Sequence, residues 1–196
     1  MKKVNRISGR AVPLGLKNID TDIILPGPYL KTISRLGLGR VAFESIRAKP
    51  GNIFEEPANQ GATIIVAGDN FGCGSSREHA VWAIMDMGID AVIAPSFSDI
   101  FSGNAFKNGL LTVTLDQSVV DRLLVAAQNG PLTIDLDTQS VSTEEGDHFA
   151  FEFDAFRKHC LLNGLDEIGM TLAQADEITA FEERSQRERP WLPRIA

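Results

Sequence analysis

A short apolar run, a loop rich in glycine and serine, and a helix-like stretch follow one another near the middle of the chain. Residues 62–67 form the run, and residues 68–80 read Gly-Asp-Asn-Phe-Gly-Cys-Gly-Ser-Ser-Arg-Glu-His-Ala. The run predicts a buried strand, and the apolar spacing over residues 77–87 predicts a helix. The loop therefore follows the carboxyl end of a strand, where open α/β folds bind ligands.

The same alternation of strand and helix continues to about residue 128. It predicts an α/β domain with a mainly parallel central sheet flanked by helices. A β-hairpin and a helical tail should follow, and residues 1–196 should form a single domain with a flexible end at residues 183–196. The predicted strands are 6–12, 62–67, 91–94 and 110–115, the helices are 77–87, 98–107, 117–128, 155–163 and 172–187, and the hairpin pairs 132–136 with 148–153.

Charge and cysteine content exclude several classes of protein. A net charge of −7 argues against nucleic-acid binding, which depends on basic patches. No apolar run approaches the roughly 18–20 residues that span a membrane, so we expect no membrane partner and a cytoplasmic location. The two cysteines, Cys73 and Cys160, form neither a disulfide framework nor the thiolate set of an iron–sulfur cluster. We therefore expect no metal ligands in this chain.

The chemistry of the central loop favours a small anion. Arg77 can bind a carboxylate through two hydrogen bonds, and the start of a helix offers free backbone N–H groups. Ser75 and Ser76 add hydroxyls in the same turn. A purely structural role stays open, because glycines permit a tight turn and serine is a favoured helix cap.

Three better-known loop motifs do not fit. A dinucleotide fingerprint needs a glycine at the position of Arg77, and a P-loop needs a Gly-Lys-Ser/Thr tripeptide that the chain lacks. A nucleophile elbow needs glycine two residues after the serine, where Arg77 and Glu78 stand instead.

Four segments in one order resemble the swivel domain of the aconitase superfamily, and specifically the small-subunit family of bacterial 3-isopropylmalate dehydratase. They are residues 70–80, residues 18–26, residues 93–104 and residues 153–166. The resemblance covers nearly the whole chain. It implies a swivelling β/β/α-type domain and an enzyme split into two subunits.

The resemblance also implies a reaction. The enzyme would isomerise 2-isopropylmalate to 3-isopropylmalate through 2-isopropylmaleate, in leucine biosynthesis. The large subunit, in a heterodimer or heterotetramer, would hold the [4Fe-4S] cluster, whose iron acts as a Lewis acid. This chain would be active only with that subunit and would bind a small dicarboxylate.

Residue roles follow from the same resemblance. Ser75 matches the superfamily's general base, and Asp22 matches an aspartate that pairs with a histidine of the other subunit. Substrate binding falls to Asn70, Ser76, Arg77, Leu30, Thr32 and Ile33. Ile33 stands where aconitases carry an arginine, which suits an alkyl group in place of a carboxylate. Asp20 should cap the turn that contains Asp22.

Three alternatives remain at this point. A related small-subunit protein could serve a citraconate or alkyl-malate hydratase, because small alkyl groups are weakly discriminated. The chain could also be an anion-binding α/β module without catalysis, or a serine hydrolase using Ser75 or Ser76. Without the resemblance, the favoured interpretation of Asp22 is a structural role in a turn.

Overall fold

The computed structural model describes residues 1–191. Its strands are β1 (Arg6–Gly9), β2 (Ala11–Pro13), β3 (Ile64–Val66), β4 (Ala91–Ala94), β5 (Leu111–Thr114), β6 (Leu132–Asp135), β7 (Ser140–Thr143) and β8 (His148–Ala150). Its helices are α1 (Thr21–Ile24), α2 (Glu44–Arg47), α3 (His79–Asp86), α4 (Asp99–Asn108), α5 (Gln117–Asn129), α6 (Ala155–Asn163), α7 (Glu167–Leu172) and α8 (Ala175–Glu188).

A four-stranded parallel sheet in the order β2-β3-β4-β5 forms the centre. Its two inner strands, β3 and β4, are buried along their whole length, which explains why both are continuous apolar runs. One row across the sheet, Ala11-Ile64-Ala91-Leu111, faces one hydrophobic cluster, and the neighbouring Ile65 and Val92 face the other. The predicted parallel sheet and the α/β class are thus confirmed.

A second, antiparallel sheet has the order β1-β6-β7-β8. The predicted first strand over residues 6–12 is in fact divided at Arg10, so that β1 joins this sheet and β2 joins the parallel one. The predicted pairing of 132–136 with 148–153 is wrong, because β7 lies between them and pairs with both. Only Val141 is apolar in the polar sequence of β7, so the strand had no strong hydrophobic signal.

The helices differ from the predictions at their ends. Helix α3 begins at His79 rather than residue 77, which leaves Ser75 and Arg77 in the preceding loop. The predicted helix over residues 172–187 corresponds to α8, and the short α7 precedes it. The predicted flexible end overlaps α8 as far as Glu188, while residues 192–196 lie outside the described part. Across residues 1–191, no helix is both long and apolar enough to cross a membrane.

Candidate active site

Two loops at the carboxyl ends of β2 and β3 are joined along their backbones. The Asn18 N–H donates to the Asp69 carbonyl (2.8 Å), and the Gly72 N–H donates to the Ile19 carbonyl (2.7 Å). One step further, the Thr21 N–H donates to the Cys73 carbonyl at 2.9 Å. The segments that carry Asp22 and Ser75 are therefore held side by side at the predicted edge of the sheet.

The path of the second loop depends on two residues in the left-handed region. Gly72 has φ +74°, and a Cβ built there would collide with the Phe101 ring. Asn70 has φ +60°, and its amide donates to the Asn18 side chain at 2.8 Å. Asparagine tolerates this conformation better than most residues. Asn70, predicted to bind substrate, thus also contacts the neighbouring loop.

Ser75 is hydrogen-bonded twice to one buried side chain, Thr21. The Ser75 N–H donates to Thr21 Oγ1 at 3.1 Å, and the two hydroxyl oxygens lie 2.9 Å apart. Thr21 is only 2% exposed, whereas Ser75 is half-buried. Thr21 Oγ1 accepts the Ser75 N–H, and an anionic Ser75 Oγ, which has no proton of its own, would accept the Thr21 hydroxyl proton. An anionic oxygen at Ser75 would therefore have a donor already in place.

Asp22 and Arg77 form an ion pair beside this serine. Arg77 Nη1 donates to Asp22 Oδ1, with Arg77 36% and Asp22 61% exposed. Helix α1 positions the aspartate, and its cap is Asp20, whose Oδ1 accepts the Ile23 N–H at 2.7 Å. The predicted capping role of Asp20 is confirmed. The remaining guanidinium donors of Arg77 are available for a carboxylate ligand.

The predicted alkyl-binding residues lie on a separate loop. Leu30 is in a 3₁₀ turn over Gly27–Lys31, and Thr32 and Ile33 follow it. The Thr32 carbonyl is 3.0 Å from His79 Nε2, so this loop contacts the start of α3. Ile33 is 97% exposed, and its side chain packs on nothing within the described residues. Its predicted role in binding an alkyl group stays a prediction.

Ser76 is exposed, and its carbonyl accepts a hydrogen bond from the Asn104 side chain at 3.4 Å. This contact ties the loop to α4. The Ser76 hydroxyl makes no hydrogen bond among the described residues, so it is available for the predicted hydrogen bond to substrate, which stays a prediction.

The residues of this chain do not fit an iron–sulfur cluster. Cys73 is partly exposed in the loop, but Cys160 is buried in α6, where its Sγ donates to Met170 Sδ at 3.5 Å. Burial raises the pKa of the Cys160 thiol, which opposes the thiolate form that iron needs. Among residues 1–191 no group of three His, Cys, Asp or Glu side chains is placed to hold a metal ion.

The geometry argues against a serine hydrolase. A nucleophilic serine needs a general base within hydrogen-bond distance. The hydroxyl that contacts Ser75 belongs to Thr21, which is no base at neutral pH. His79, four residues from Ser75, has Nε2 on the Thr32 carbonyl and its ring 4.6 Å from Trp82.

Of the residues that the sequence predicts, the structure pairs Arg77 with Asp22 and places Ser75 on Thr21, whereas the Asn70 side chain contacts Asn18. The sequence analysis did not identify Thr21. The available signal was the position of Thr21 between two acidic residues whose roles were already predicted. Burial of its hydroxyl could not be deduced, because it depends on contact with a loop 54 residues away.

Family models match consecutive parts of the chain. The model described as Aconitase C-terminal domain matches residues 1–118, and LeuD_N matches residues 121–155. The model for the C-terminal domain of the 3-isopropylmalate dehydratase small subunit matches residues 167–195.

Curated relatives and a solved structure agree with these matches. A 3-isopropylmalate dehydratase small subunit of Novosphingobium aromaticivorans is 60% identical over 98% of this chain and 95% of its own length. That of Zymomonas mobilis is also 60% identical, over 98% of this chain and all of its own. A crystal structure of 3-isopropylmalate dehydratase from Methanocaldococcus jannaschii has TM-score 0.70 at 31% identity, covering 90% of this chain and 99% of that one.

Proposed function

Because this chain belongs to the family of 3-isopropylmalate dehydratase small subunits, we propose that it forms half of the active site of that hydro-lyase. The enzyme isomerises 2-isopropylmalate to 3-isopropylmalate, through 2-isopropylmaleate, in leucine biosynthesis. The observation that carries the proposal for this chain is the contact between its two loops, which gathers Ser75, Thr21, Arg77 and Asp22 at one exposed edge.

The reaction needs a base for a carbon-bound proton and a route for the leaving hydroxide. Ser75 Oγ takes the proton, and the electron pair of that C–H bond forms the double bond as hydroxide leaves the adjacent carbon. In the second half, hydroxide adds to the carbon that lost the proton, and Ser75 returns its proton to the carbon that lost the hydroxyl. Serine is a very weak acid, so its alkoxide needs fixed donors, and the Thr21 hydroxyl and the nearby Arg77 charge supply them.

Arg77 and Asp22 exchange partners in this scheme. In the isolated chain they pair with each other. With substrate bound, the Arg77 guanidinium holds a substrate carboxylate, while the exposed Asp22 pairs with a histidine of the large subunit and assists departure of the hydroxyl. Ser76 and Asn70 add hydrogen bonds to the substrate.

The alkyl end of the substrate lies against Leu30, Thr32 and Ile33. The high exposure of Ile33 supports this, because an isolated chain would leave apolar surface open where substrate and partner belong. A citraconate or alkyl-malate hydratase would use the same site with a smaller alkyl group. A module that only binds an anion is the third possibility.

The partner is a large subunit that carries a [4Fe-4S] cluster, in a heterodimer or heterotetramer, and the enzyme works in the cytoplasm. The cluster would supply Lewis-acid activation of the hydroxyl. Its location in the partner is supported by the two distant cysteines of this chain, one of them buried.

Anaerobic reconstitution with the large subunit tests the proposal. Ultraviolet absorbance of the carbon–carbon double bond is followed in separate reactions: it rises as 2-isopropylmalate or citrate is dehydrated and falls as citraconate or dimethylmaleate is hydrated. We expect turnover only with both chains, highest with 2-isopropylmalate, and a loss of at least about 1,000-fold in Ser75→Ala. Ser185→Ala on α8 is the matched control and should keep full activity.

Each other outcome has a definite meaning. Preference for citraconate would support the proposed hydro-lyase reaction but would replace 2-isopropylmalate as its substrate. Full activity of Ser75→Ala would exclude that serine as the base. Absence of turnover with an intact cluster and every substrate would favour the anion-binding module.

A further inference from the structure

Three side chains on one stripe of α3 hold the loop that carries Ile33. His79, Trp82 and Asp86 lie at positions i, i+3 and i+7, which place them on the same helix face. Helix α3 begins two residues after Arg77, so this stripe starts beside the proposed catalytic loop. In the loop over residues 32–39, residues 33–37 are exposed, and the chain becomes buried again only at Leu38.

Each residue of the stripe contacts a different part of that loop. His79 Nε2 lies 3.0 Å from the Thr32 carbonyl, and the Trp82 ring lies under the Arg35 guanidinium, 4.9 Å from its Cζ to the ring centroid. Asp86 Oδ2 accepts the Gly39 N–H at 2.7 Å. The segment is therefore anchored at its beginning, middle and end by the same helix.

The stripe is itself held in place by its neighbours. The Trp82 indole N–H donates to Asn108 Oδ1 of α4 at 3.1 Å, and its ring packs against His79 at 4.6 Å between centroids. Asn108 in turn donates to Glu78 at 2.7 Å. Because both ends of the Trp82 ring are in contact, its face is fixed as a platform for Arg35.

Inside the loop, Ser34 makes a compact turn. The Ser34 N–H donates to Thr32 Oγ1 at 3.0 Å, and Ser34 Oγ accepts the Leu36 N–H at 3.2 Å. Ile33 and Leu36 are both highly exposed, so their position is determined by the anchors on α3 rather than by packing of their own side chains.

We propose that His79 and Trp82 are positioning residues that hold residues 32–36 at a fixed place relative to Ser75, and so set the selection for the alkyl end of the substrate. This inference rests on the proposed function. It assigns neither residue a contact with substrate. Both act through the loop, so their loss should weaken discrimination between alkyl groups while leaving the proton-transfer step intact.

Limited proteolysis of the chain alone tests the anchoring without any activity measurement. Trypsin cleavage after Arg35 is followed by mass spectrometry in the wild type, His79→Ala, His79→Gln, Trp82→Leu and the control His159→Ala. His159 lies exposed on α6. His79→Ala loses the hydrogen bond to the Thr32 carbonyl, and Trp82→Leu loses the ring under the Arg35 guanidinium. Each loss should speed cleavage about tenfold. His79→Gln, which keeps a donor, and His159→Ala should cleave at close to the wild-type rate.

Steady-state kinetics of the reconstituted enzyme test the selection. In His79→Ala and Trp82→Leu, the ratio of kcat/KM for 2-isopropylmalate to that for citraconate should fall about tenfold. The change should come from a higher KM for 2-isopropylmalate, with kcat nearly unchanged, and His79→Gln should recover most of the ratio.

The two experiments separate the possible failures. Unchanged cleavage in both variants would overturn the anchoring, whatever the activity. Faster cleavage with an unchanged ratio of kcat/KM between 2-isopropylmalate and citraconate would overturn the role in selection. A fall in kcat that leaves this ratio unchanged would do the same. If the wild-type enzyme does not turn over 2-isopropylmalate at all, the proposed function fails and the inference on selection fails with it, while the proteolysis still decides whether the stripe holds the loop.

Discussion

Thr21 places a buried hydroxyl directly against Ser75, the proposed base. It is nearly fully buried, and its hydroxyl oxygen accepts the Ser75 N–H and lies 2.9 Å from Ser75 Oγ. Thr21→Val keeps the shape but removes the hydroxyl. Loss of one donor to a developing anion typically costs about 100-fold in kcat, and we expect that loss here.

The measurement is kcat of the reconstituted enzyme with 2-isopropylmalate, together with the melting temperature of the chain alone. Thr21→Ser should recover most of the activity, because it returns the hydroxyl. A Thr21→Val enzyme that is folded and keeps wild-type kcat would contradict the role of Thr21.

Arg77 and Asp22 should affect different kinetic constants, although they contact each other in the isolated chain. Arg77→Lys keeps the charge but loses the planar fork that matches a carboxylate. We expect KM for 2-isopropylmalate to rise about 10- to 100-fold, the cost of a lost charge-assisted hydrogen bond. Asp22→Asn should instead lower kcat, because its proposed role is in departure of the hydroxyl. Steady-state kinetics of both variants decide this, and equal effects on KM would show that the two residues act only as a pair.

At the scale of elements, the turn between β6 and β7 contains an acidic group with a clear pH signature. Asp135 Oδ1 accepts the Thr138 N–H at 2.9 Å, and this hydrogen bond, opposed by partial burial, lowers the pKa of the Asp135 carboxyl. A lowered pKa stabilises the folded chain above the ordinary Asp pKa of about 3.9, and the stabilisation is lost as the pH falls through the lowered value.

Asp135→Asn keeps an acceptor oxygen without the charge. We expect its urea midpoint to lie below that of the wild type at about pH 7, and the difference to shrink as the pH falls below the ordinary Asp pKa of about 3.9. Asp137→Asn, exposed in the same turn, is the matched control. A difference that persists unchanged in acid would mean that the charge of Asp135 does not stabilise the turn.

Elements with strong local patterns could be predicted from the sequence, and those determined by distant contacts could not. The predicted bounds of β4 are the observed ones, because its apolar run is buried on both faces. Strand β7 was missed because its polar side chains give no alternation, and its pairing with β6 and β8 defines it instead. The division at Arg10 was missed for a similar reason, since only the two different partners of β1 and β2 reveal it.

In the site, the residues carried by sequence motifs were predicted and their mutual contacts were not. Ser75, Arg77 and Asp22 stand in recognisable segments, so the resemblance gave each of them a role. The pairing of Arg77 with Asp22 was not predicted. Thr21, His79 and Trp82 acquire their interactions from segments 26 to 54 positions away along the chain. Such contacts depend on how loops at adjacent strand ends meet, which local periodicity does not determine.

At the scale of the whole molecule, the parallel sheet joins two hydrophobic clusters. Ile64 faces one cluster and its neighbour Ile65 faces the other. Because the same three-residue strand contributes to both clusters, we propose that the described residues form a single domain that unfolds as one cooperative unit.

Matched variants of β3 test this. Ile64→Val and Ile65→Val each remove one methyl group from a fully buried side chain, and each should cost about 0.5–1.5 kcal/mol in the free energy of unfolding. Urea unfolding is followed by circular dichroism and by fluorescence of Trp82, in a Trp191→Phe background that leaves one tryptophan. Trp82 packs against the cluster of Ile65. In each variant, the urea midpoints from circular dichroism and from fluorescence should nevertheless shift by the same amount, in one transition. Both clusters pack on the same sheet, so one cannot unfold while the other stays folded. Two transitions, or an Ile64→Val shift seen by circular dichroism alone, would show that the clusters unfold separately.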